Sequence, residues 1–364
     1  MADFCSPRSF RLVCRPEQAT LVEALLAVQG FSFESESFYS MARRQIAGDI
    51  PLGSSLAAAF GYIYIQDRSS MLPPLALDPA EGGAVLDMCA SPGSKTGLLA
   101  GLVGDTGFVL GNEPSQKRLG TLRRNLQLMN LFCAATCSGP GEGMLLPDAG
   151  QSGPGWDYIL LDPPCSGWGT AEKNPQVLRL WQGDKLKILV SLQRRLIKEA
   201  ARLLRPGGKL VYSTCTTNVE ENEEQVAHAI EALGLELRPL GELPGFTFAP
   251  AEGPLRAGVW RVDTGAEGQG FFLALLSKKT NETEKGKATA SLDGGEREKW
   301  VYLPRHAFHS DWLDESLLPP GKLALFNGSI FFLPEQSVYI LPDSFSWRGF
   351  LLGRQDKSGS LRSD

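Results

Sequence analysis

The run Ala84–Ala100 reads AVLDMCASPGSKTGLLA, and it holds the junction that decides the architecture. An apolar stretch ends in Asp87, a turn of small residues follows, and KTGLLA opens a helical pattern. A strand that passes through such a turn into a helix sets the free N–H groups of the helix's first turn beside the strand's carboxyl end. Cys89, Ala90, Ser91, Pro92, Gly93, Ser94 and Lys95 form that turn and are expected to hold a nucleotide-like cofactor. The segment is neither a Walker phosphate loop nor a full GxGxxG motif, so an ordinary tight turn is the competing reading.

The flanking sequence repeats the same alternation. GFVLGNE (107–113) precedes SQKRLGTLRRNLQLMN, WDYILL (156–161) precedes a second loop, and KLKILVSLQRRLIKEAARLLR is a long helical pattern ending at Pro206-Gly207-Gly208. KLVYS (209–213) then leads into an acidic run, and GVWRV and GFFLALL read as two final strands. Repeated strand–helix units predict an α/β fold, a parallel Rossmann-like sheet with helices on both faces. Ligands of such sheets bind at the carboxyl ends of the strands. Glu113, twenty positions after Gly93, stands where an acidic residue meets ribose hydroxyls in nucleotide-binding domains. Arg118, on the next helix, either supports the ligand or pairs with Glu113.

Around this core the chain divides into four expected parts. Residues 1–59 form a small α+β segment expected to bind RNA, with FRLVCRP as a strand and EQATLVEALLAVQG as a helix capped by Gly30. Residues 60–279 form the Rossmann-like domain. Residues 280–299, TNETEKGKATASLDGGEREK, have linker composition. Residues 300–364 form a small β-rich module with strands WVYLP, KLALFNGSIFFLP and SVYILP, and Asn327-Gly328 is a hairpin turn.

Composition narrows the class. The chain has 364 residues, 43% hydrophobic and 21% charged, as expected of a globular protein in two or three domains. No apolar run is long enough to span a membrane, and MADFCSPRSF lacks the pattern of a signal peptide, so a cytoplasmic, membrane-free protein is expected. The seven cysteines are scattered and point away from a disulfide framework. Cys133 and Cys137 have no second pair at zinc-finger spacing, so no metal is expected. Three histidines make a histidine-based hydrolase a poor fit. The net charge of −5 argues only mildly against a nucleic-acid partner, because binding depends on local clusters. Arg43-Arg44, Arg123-Arg124 and Arg194-Arg195 are such clusters, and each is also an ordinary solvated helix face.

Two cysteines follow strands of the same sheet. DYILLDPPCSGWGT (157–170) carries Asp162 and then Cys165, and VYSTCTTNVEENEEQ (211–225) carries Cys215. Amino-group methyltransferases place an aromatic residue where Cys165 stands, so a different chemistry is indicated. A thiolate that adds to C6 of a pyrimidine makes C5 nucleophilic, dividing one difficult step into easier ones. Cys215, Asp162 and Cys165 suit nucleophile, hydrogen-bonding group at N3 and release of the adduct. Glu220 and Glu221 suit the first turn of the next helix but do nothing to ionise the thiol. Trp168 is a candidate to stack on a splayed base, or a core residue.

DMCASPGSKT, LLDPPCSGWGT and YSTCTTNVEENE, with the lead-in YIQDRSSMLPPLALDP, closely resemble the Nol/Nop/Sun family of RNA cytosine-5 methyltransferases over roughly residues 40–279. The placement of the C-terminal module is similar to that of the bacterial small-subunit rRNA methyltransferase F branch. The resemblance implies S-adenosylmethionine as cofactor, held by Cys89–Lys95, Glu113 and Asp162. It implies Cys215 as nucleophile and Cys165 in release; DNA cytosine-5 methyltransferases reverse these roles. It implies RNA as partner, rRNA or an assembling ribosomal subunit, with the C-terminal module 300–364 also on RNA; a tRNA substrate or a silent assembly factor are the competing readings, and a monomer is expected. The family's Asp-Gly-Arg type segment is replaced by CSGPGEGMLLPDAG, in which Asp148 is the candidate adenine contact and Glu142 the alternative.

Overall fold

The computed structural model describes residues 8–147, 154–172, 174–181, 183–250, 255, 258–263, 269–280, 300–304, 318–341, 345–355 and 361–362. Asp148 and all but Thr280 of the expected linker 280–299 lie outside these residues.

A small antiparallel sheet opens the chain in the order β2-β3-β1-β4. Its strands are β1 (Ser9–Leu12), β2 (Ser32–Ser35), β3 (Ala42–Ala47) and β4 (Ile63–Ile65). Helix α1 (Ala19–Val28) buries Val22 and Leu26 against Phe10 and Ile63. Gly30 follows with φ +83°, the left-handed conformation that ends a helix. Two short helices, α2 (Leu56–Ala59) and α3 (Leu72–Leu77), lead into the main sheet.

The main sheet contains β5 (Ala84–Asp87), β6 (Phe108–Asn112), β7 (Ala134–Cys137), β8 (Trp156–Leu161), β9 (Leu204–Thr214), β10 (Leu235–Arg238), β11 (Val259–Val262) and β12 (Phe271–Lys278). Strands β9, β8, β5, β6 and β7 are parallel, and β12 closes one side antiparallel to β9. Helices α4 (Ser94–Val103) and α5 (Gln116–Leu128) cover one face with α3. After α6 (Val177–Leu180), helices α7 (Asp184–Leu203) and α8 (Glu223–Leu233) cover the other. Successive strand residues alternate between these two cores, Val85 to the first and Leu86 to the second, as the period of a strand requires. The apolar runs are continuous because both faces are buried. This is the Rossmann-like architecture expected. Among the described residues no helix is long and apolar enough to cross a membrane.

The C-terminal part forms a third sheet of β13 (Val301–Leu303), β14 (Gly321–Phe326), β15 (Ser329–Pro334), β17 (Phe350–Gln355) and β18 (Leu361–Arg362). Asn327 and Gly328 both have positive φ, as a two-residue hairpin turn demands. The expected strand SVYILP is instead helix α9 (Glu335–Ile340). Pro334 and Glu335 suit a helix start, Ser337 Oγ donates to Pro334 O, and Ile340 and Leu341 pack into the main core. Packing thus overrides the β-branched composition. Strand β16 (Trp347–Arg348) then pairs with the edge strand β7, covering backbone groups that would otherwise be open.

Candidate active site

The loop after β5 is braced from two sides. Thr96 Oγ1 donates to Asp87 Oδ2 at 2.7 Å, and the amide of Ala90 donates to Asn112 O at 2.9 Å. Ser91 Oγ donates to Arg118 O, and Arg118 Nη2 returns a bond to Ser91 O, both at 3.0 Å. Asn125 Nδ2 donates to Pro92 O at 2.8 Å. Gly93 has φ +105°, which admits few side chains. Gly111 passes directly beneath the loop: a Cβ there would lie 3.0 Å from that of Ala90.

Two carboxylates stand at adjacent strand ends beside this loop. Glu113 is 1% exposed; it accepts from the Ser115 amide at 2.9 Å and pairs with Arg118 at 3.4 Å. Arg118 therefore pairs with Glu113, the second of the two readings, and also braces Ser91. Asp87 is buried, and its Oδ1 has no hydrogen-bond partner among the described residues. A buried acceptor left open, a second anchored carboxylate and a close backbone approach fit a nucleoside with hydroxyl and amino donors.

Burial pushes the Asp87 carboxyl up to about 6, against the opposing hydrogen bond from Thr96. The raised value means the folded protein holds this proton more tightly than the unfolded chain. The associated stability is complete below the ordinary carboxylate range and is lost as pH rises through about 6. Asp87→Asn is therefore expected to stabilise the ligand-free protein above pH 6 by up to about 3 kcal/mol, with little effect near pH 4. Denaturant unfolding of both proteins at pH 4.5 and 7.5 measures this; an equal difference at the two pH values contradicts it.

The second and third loops bring the two thiols together. Cys165 Sγ and Cys215 Sγ are 3.3 Å apart. The Cys215 thiol is held below its ordinary value, first by the hydrogen bond from Cys165 and also by Lys95, against burial and Asp162. Cys165 is pushed well above its ordinary value by the same bond and by burial, so of the pair Cys215 is the one held toward the thiolate. Lys95 Nζ lies 2.6 Å from Asp162 Oδ2, and Ser213 Oγ donates to Asp162 Oδ1 at 3.0 Å. Lys95, expected on the cofactor, thus also bears on the thiol. The Cys165 bond first, and this ammonium second, favour the thiolate beside an acidic run. Burial and the Asp87 charge raise the Cys89 thiol, which lies apart from this pair.

The acidic run differs from expectation. Asn218 caps the short turn Val219–Glu221, accepting from the Glu220 amide, but Glu221 is fully buried and does not face solvent. Its carboxylate accepts from the Ser166 amide at 2.9 Å, Ser166 Oγ at 2.5 Å, Gln193 Nε2 at 2.9 Å and Asn218 Nδ2 at 3.3 Å. Ser166 Oγ also meets Thr216 Oγ1 at 2.7 Å. The residues after Cys165 and Cys215 are therefore tied through one carboxylate. Glu223 is likewise buried against Arg261. An acidic cluster so close to a neutral, small-residue loop was the available signal for this bracing.

The other candidates separate. Arg43 is 6% exposed, pairs with Glu23 and donates to Ser40 O and Ala42 O, so it is part of the N-terminal unit's interior. Arg44 pairs with Glu34, and Glu142 with Arg195. Trp168 is half-buried in the turn that follows Gly167. Cys133 and Cys137 are buried separately, Sγ near Ala100 O and Asn112 Oδ1. No cluster able to hold a metal occurs among the described residues.

A family model described as 16S rRNA methyltransferase RsmB/F matches residues 74–277. Ribosomal RNA small subunit methyltransferase F of Klebsiella pneumoniae (strain 342) is 39% identical over 239 residues, which are 63% of this chain and 48% of that protein. The Citrobacter koseri protein of the same name is 38% identical over 285 residues, 74% of this chain and 57% of its own. The chain spans about half the length of the curated relatives it matches. A methyltransferase homolog from Pyrococcus horikoshii is 31% identical with a TM-score of 0.63, covering 75% of this chain and 86% of that one. NSun6 of the same organism, solved with SFG, has a TM-score of 0.62 at 21% identity over 76% of this chain and 91% of its own, and shows the fold. With more than half of its length matched, the chain belongs to the RsmB/F family of 16S rRNA methyltransferases.

Proposed function

We propose that the protein transfers a methyl group from S-adenosylmethionine to C5 of a cytosine in small-subunit rRNA, through a covalent bond between Cys215 Sγ and C6 of the base. The observation that carries this reading is the thiol pair 3.3 Å apart beside the Lys95–Asp162 ion pair. An amino-group methyltransferase has no use for either thiol.

The loop Cys89–Lys95, with Glu113, Arg118 and Asp87, is assigned to the cofactor, Glu113 and Asp87 accepting from its hydroxyl and amino groups. Asp148 is proposed for the adenine. When bound, S-adenosylmethionine supplies an electrophilic methyl sulfonium. The Cys215 thiolate adds to C6 as N3 takes up a proton from solvent, which it returns on release, and Asp162 is assigned to that edge, its carboxylate accepting from N3–H. C5 then carries the nucleophilic electron pair. After methylation C5 must lose its proton, and the C6–S bond breaks to return the Cys215 thiolate. Cys165 is assigned to this stage. Its proton is held by the bond to the Cys215 thiolate, and that bond disappears once Cys215 is covalently engaged. Cys165 then gives up its own proton to solvent more readily, and the Cys165 thiolate so formed accepts the C5 proton as the C5–H electron pair closes the C5–C6 double bond and the Cys215 thiolate leaves.

The decisive experiment is transfer of labelled methyl from S-adenosylmethionine into total RNA, followed by mapping of the modified base. Label in 5-methylcytosine of small-subunit rRNA is expected. Label confined to tRNA, or to an exocyclic amine, rejects the reading. Cys165→Ala is expected to retain attack but slow release by at least about 10²-fold, the scale of general base catalysis. A protein–RNA adduct stable to denaturant should accumulate, seen as a gel shift; its absence with methylation at the wild-type rate contradicts the role.

A further inference from the structure

A cleft of about 150 Å³ lies between α5, β7 and the C-terminal strands, away from the two-thiol site. Its polar lining is Arg123, Gln127, Thr136, Ser329, Arg348 and Arg354, and among the described residues no carboxylate lines it. The register of β16 on β7 creates it, pairing Arg348 with Thr136. Arg123 Nε donates to Thr136 Oγ1 at 2.9 Å, which orients the guanidinium without using its two Nη groups. Arg348 lies over the Phe326 ring at 5.8 Å. We propose that this cleft binds a backbone phosphate of the RNA substrate, gripped by Arg123 and Arg348 and flanked by Gln127, Thr136 and Ser329.

The argument is one of charge and geometry, and it rests on RNA being the substrate. In a chain of net charge −5, two guanidinium groups line one cleft with no acidic side chain among the described residues of its lining. Burial and the neighbouring Arg348 push Arg123 down to about 10, so a negative group placed between the two guanidinium ions would relieve their repulsion. Planar guanidinium forks suit a phosphate better than a point charge does, and the volume equals roughly five waters at ~30 Å³ each. Strand β7 stands four places from β9 in the sheet, about 19 Å at ordinary strand spacing. The phosphate held here therefore belongs to a nucleotide some way along the strand from the target base. Such contacts set register and carry no base specificity.

The test uses the full chain and a small-subunit rRNA transcript, with binding read by anisotropy over a series of salt concentrations. Arg348→Glu is expected to weaken binding by about tenfold at 0.1 M salt and to lower the salt slope by about one, while Arg348→Ala has a smaller effect in the same direction. Binding of S-adenosylhomocysteine and the melting temperature should not move. Wild-type affinity and slope in both variants overturn the proposal while leaving the substrate reading intact. Wild-type protein that binds no RNA overturns both. A calorimetric titration with inorganic phosphate separates the sources: saturable uptake that Arg348→Glu removes, with RNA affinity unchanged, means a free anion and also overturns the proposal.

Discussion

Cys215→Ala is expected to abolish methyl transfer to RNA, with a fall of at least about 10⁴-fold, or ~5 kcal/mol of barrier. Without the thiolate, nothing adds to C6, and C5 of an aromatic pyrimidine remains a poor nucleophile. The covalent adduct should vanish with the activity, also in the background of Cys165→Ala. The fold should survive, because Cys215 is a small residue at a strand end and its backbone bond, the Gly169 amide to Cys215 O at 3.1 Å, does not depend on the thiol. Cofactor binding should persist for the same reason, since the loop Cys89–Lys95 is braced by Asn112, Arg118 and Asn125. The wild-type pH profile gives an independent reading. Because Cys165 and Lys95 hold the thiol below its ordinary value, the acid limb of kcat/KM should fall below pH 9.0, and rates should decline as the thiolate is protonated. Single-turnover transfer from labelled cofactor, with the adduct resolved on denaturing gels, measures both outcomes. A variant that keeps an adduct shifts the nucleophile to Cys165; one that methylates normally returns the protein to the amino-group class.

The strands and helices around this site were legible because their signals are local. β5 and β6 and the ends of β8 (159–161) and β9 (210–212) are buried on both faces, so each shows a short apolar run bounded by small or polar residues. α7 shows its buried stripe, Leu189, Leu196, Ile197, Ala200 and Leu203, at helical spacing. What failed was set by distant contacts. α9 has strand composition but is drawn onto the main core, where Gln336 Nε2 also donates to Gly82 O and Thr106 O at 2.6 Å. β3, ARRQIA, carries two arginines and few apolar residues, and only pairing with β1 and β2 makes it a strand. Arg43 reads as a surface cation until Glu23, twenty residues away, is seen to take it inside. At the site, the chemistry-bearing residues lay in compact motifs, whereas Lys95 reaching Asp162 spans sixty-seven positions and has no local signature.

Glu221 is the sharpest case, and replacing it should have the largest effect on stability at the site. As part of NVEENEE it looks like one of several carboxylates at a helix start. In the fold it is fully buried and accepts four hydrogen bonds, three of them from residues outside its own turn. Glu221→Ala leaves the Ser166 amide, the Gln193 amide group and Asn218 without their acceptor and opens space among them. Each unmet donor costs about 1 kcal/mol or more, so a loss of about 3 kcal/mol is expected. For a domain of this size that corresponds to a melting temperature lower by about 6–12 °C. Glu221→Gln keeps the shape and one acceptor oxygen for the Ser166 amide, so it should lose about half as much. Activity should follow geometry: the carboxylate joins the loop after Cys165 to the turn after Cys215, and releasing it lets the two thiols drift from 3.3 Å. The Gln variant, folded well below its melting temperature, should therefore show a lower kcat and a more alkaline acid limb, since a weaker Cys165 bond raises the Cys215 thiol. Those shifts distinguish a positioning role from a merely structural one, which would lower the melting temperature and leave the pH profile in place.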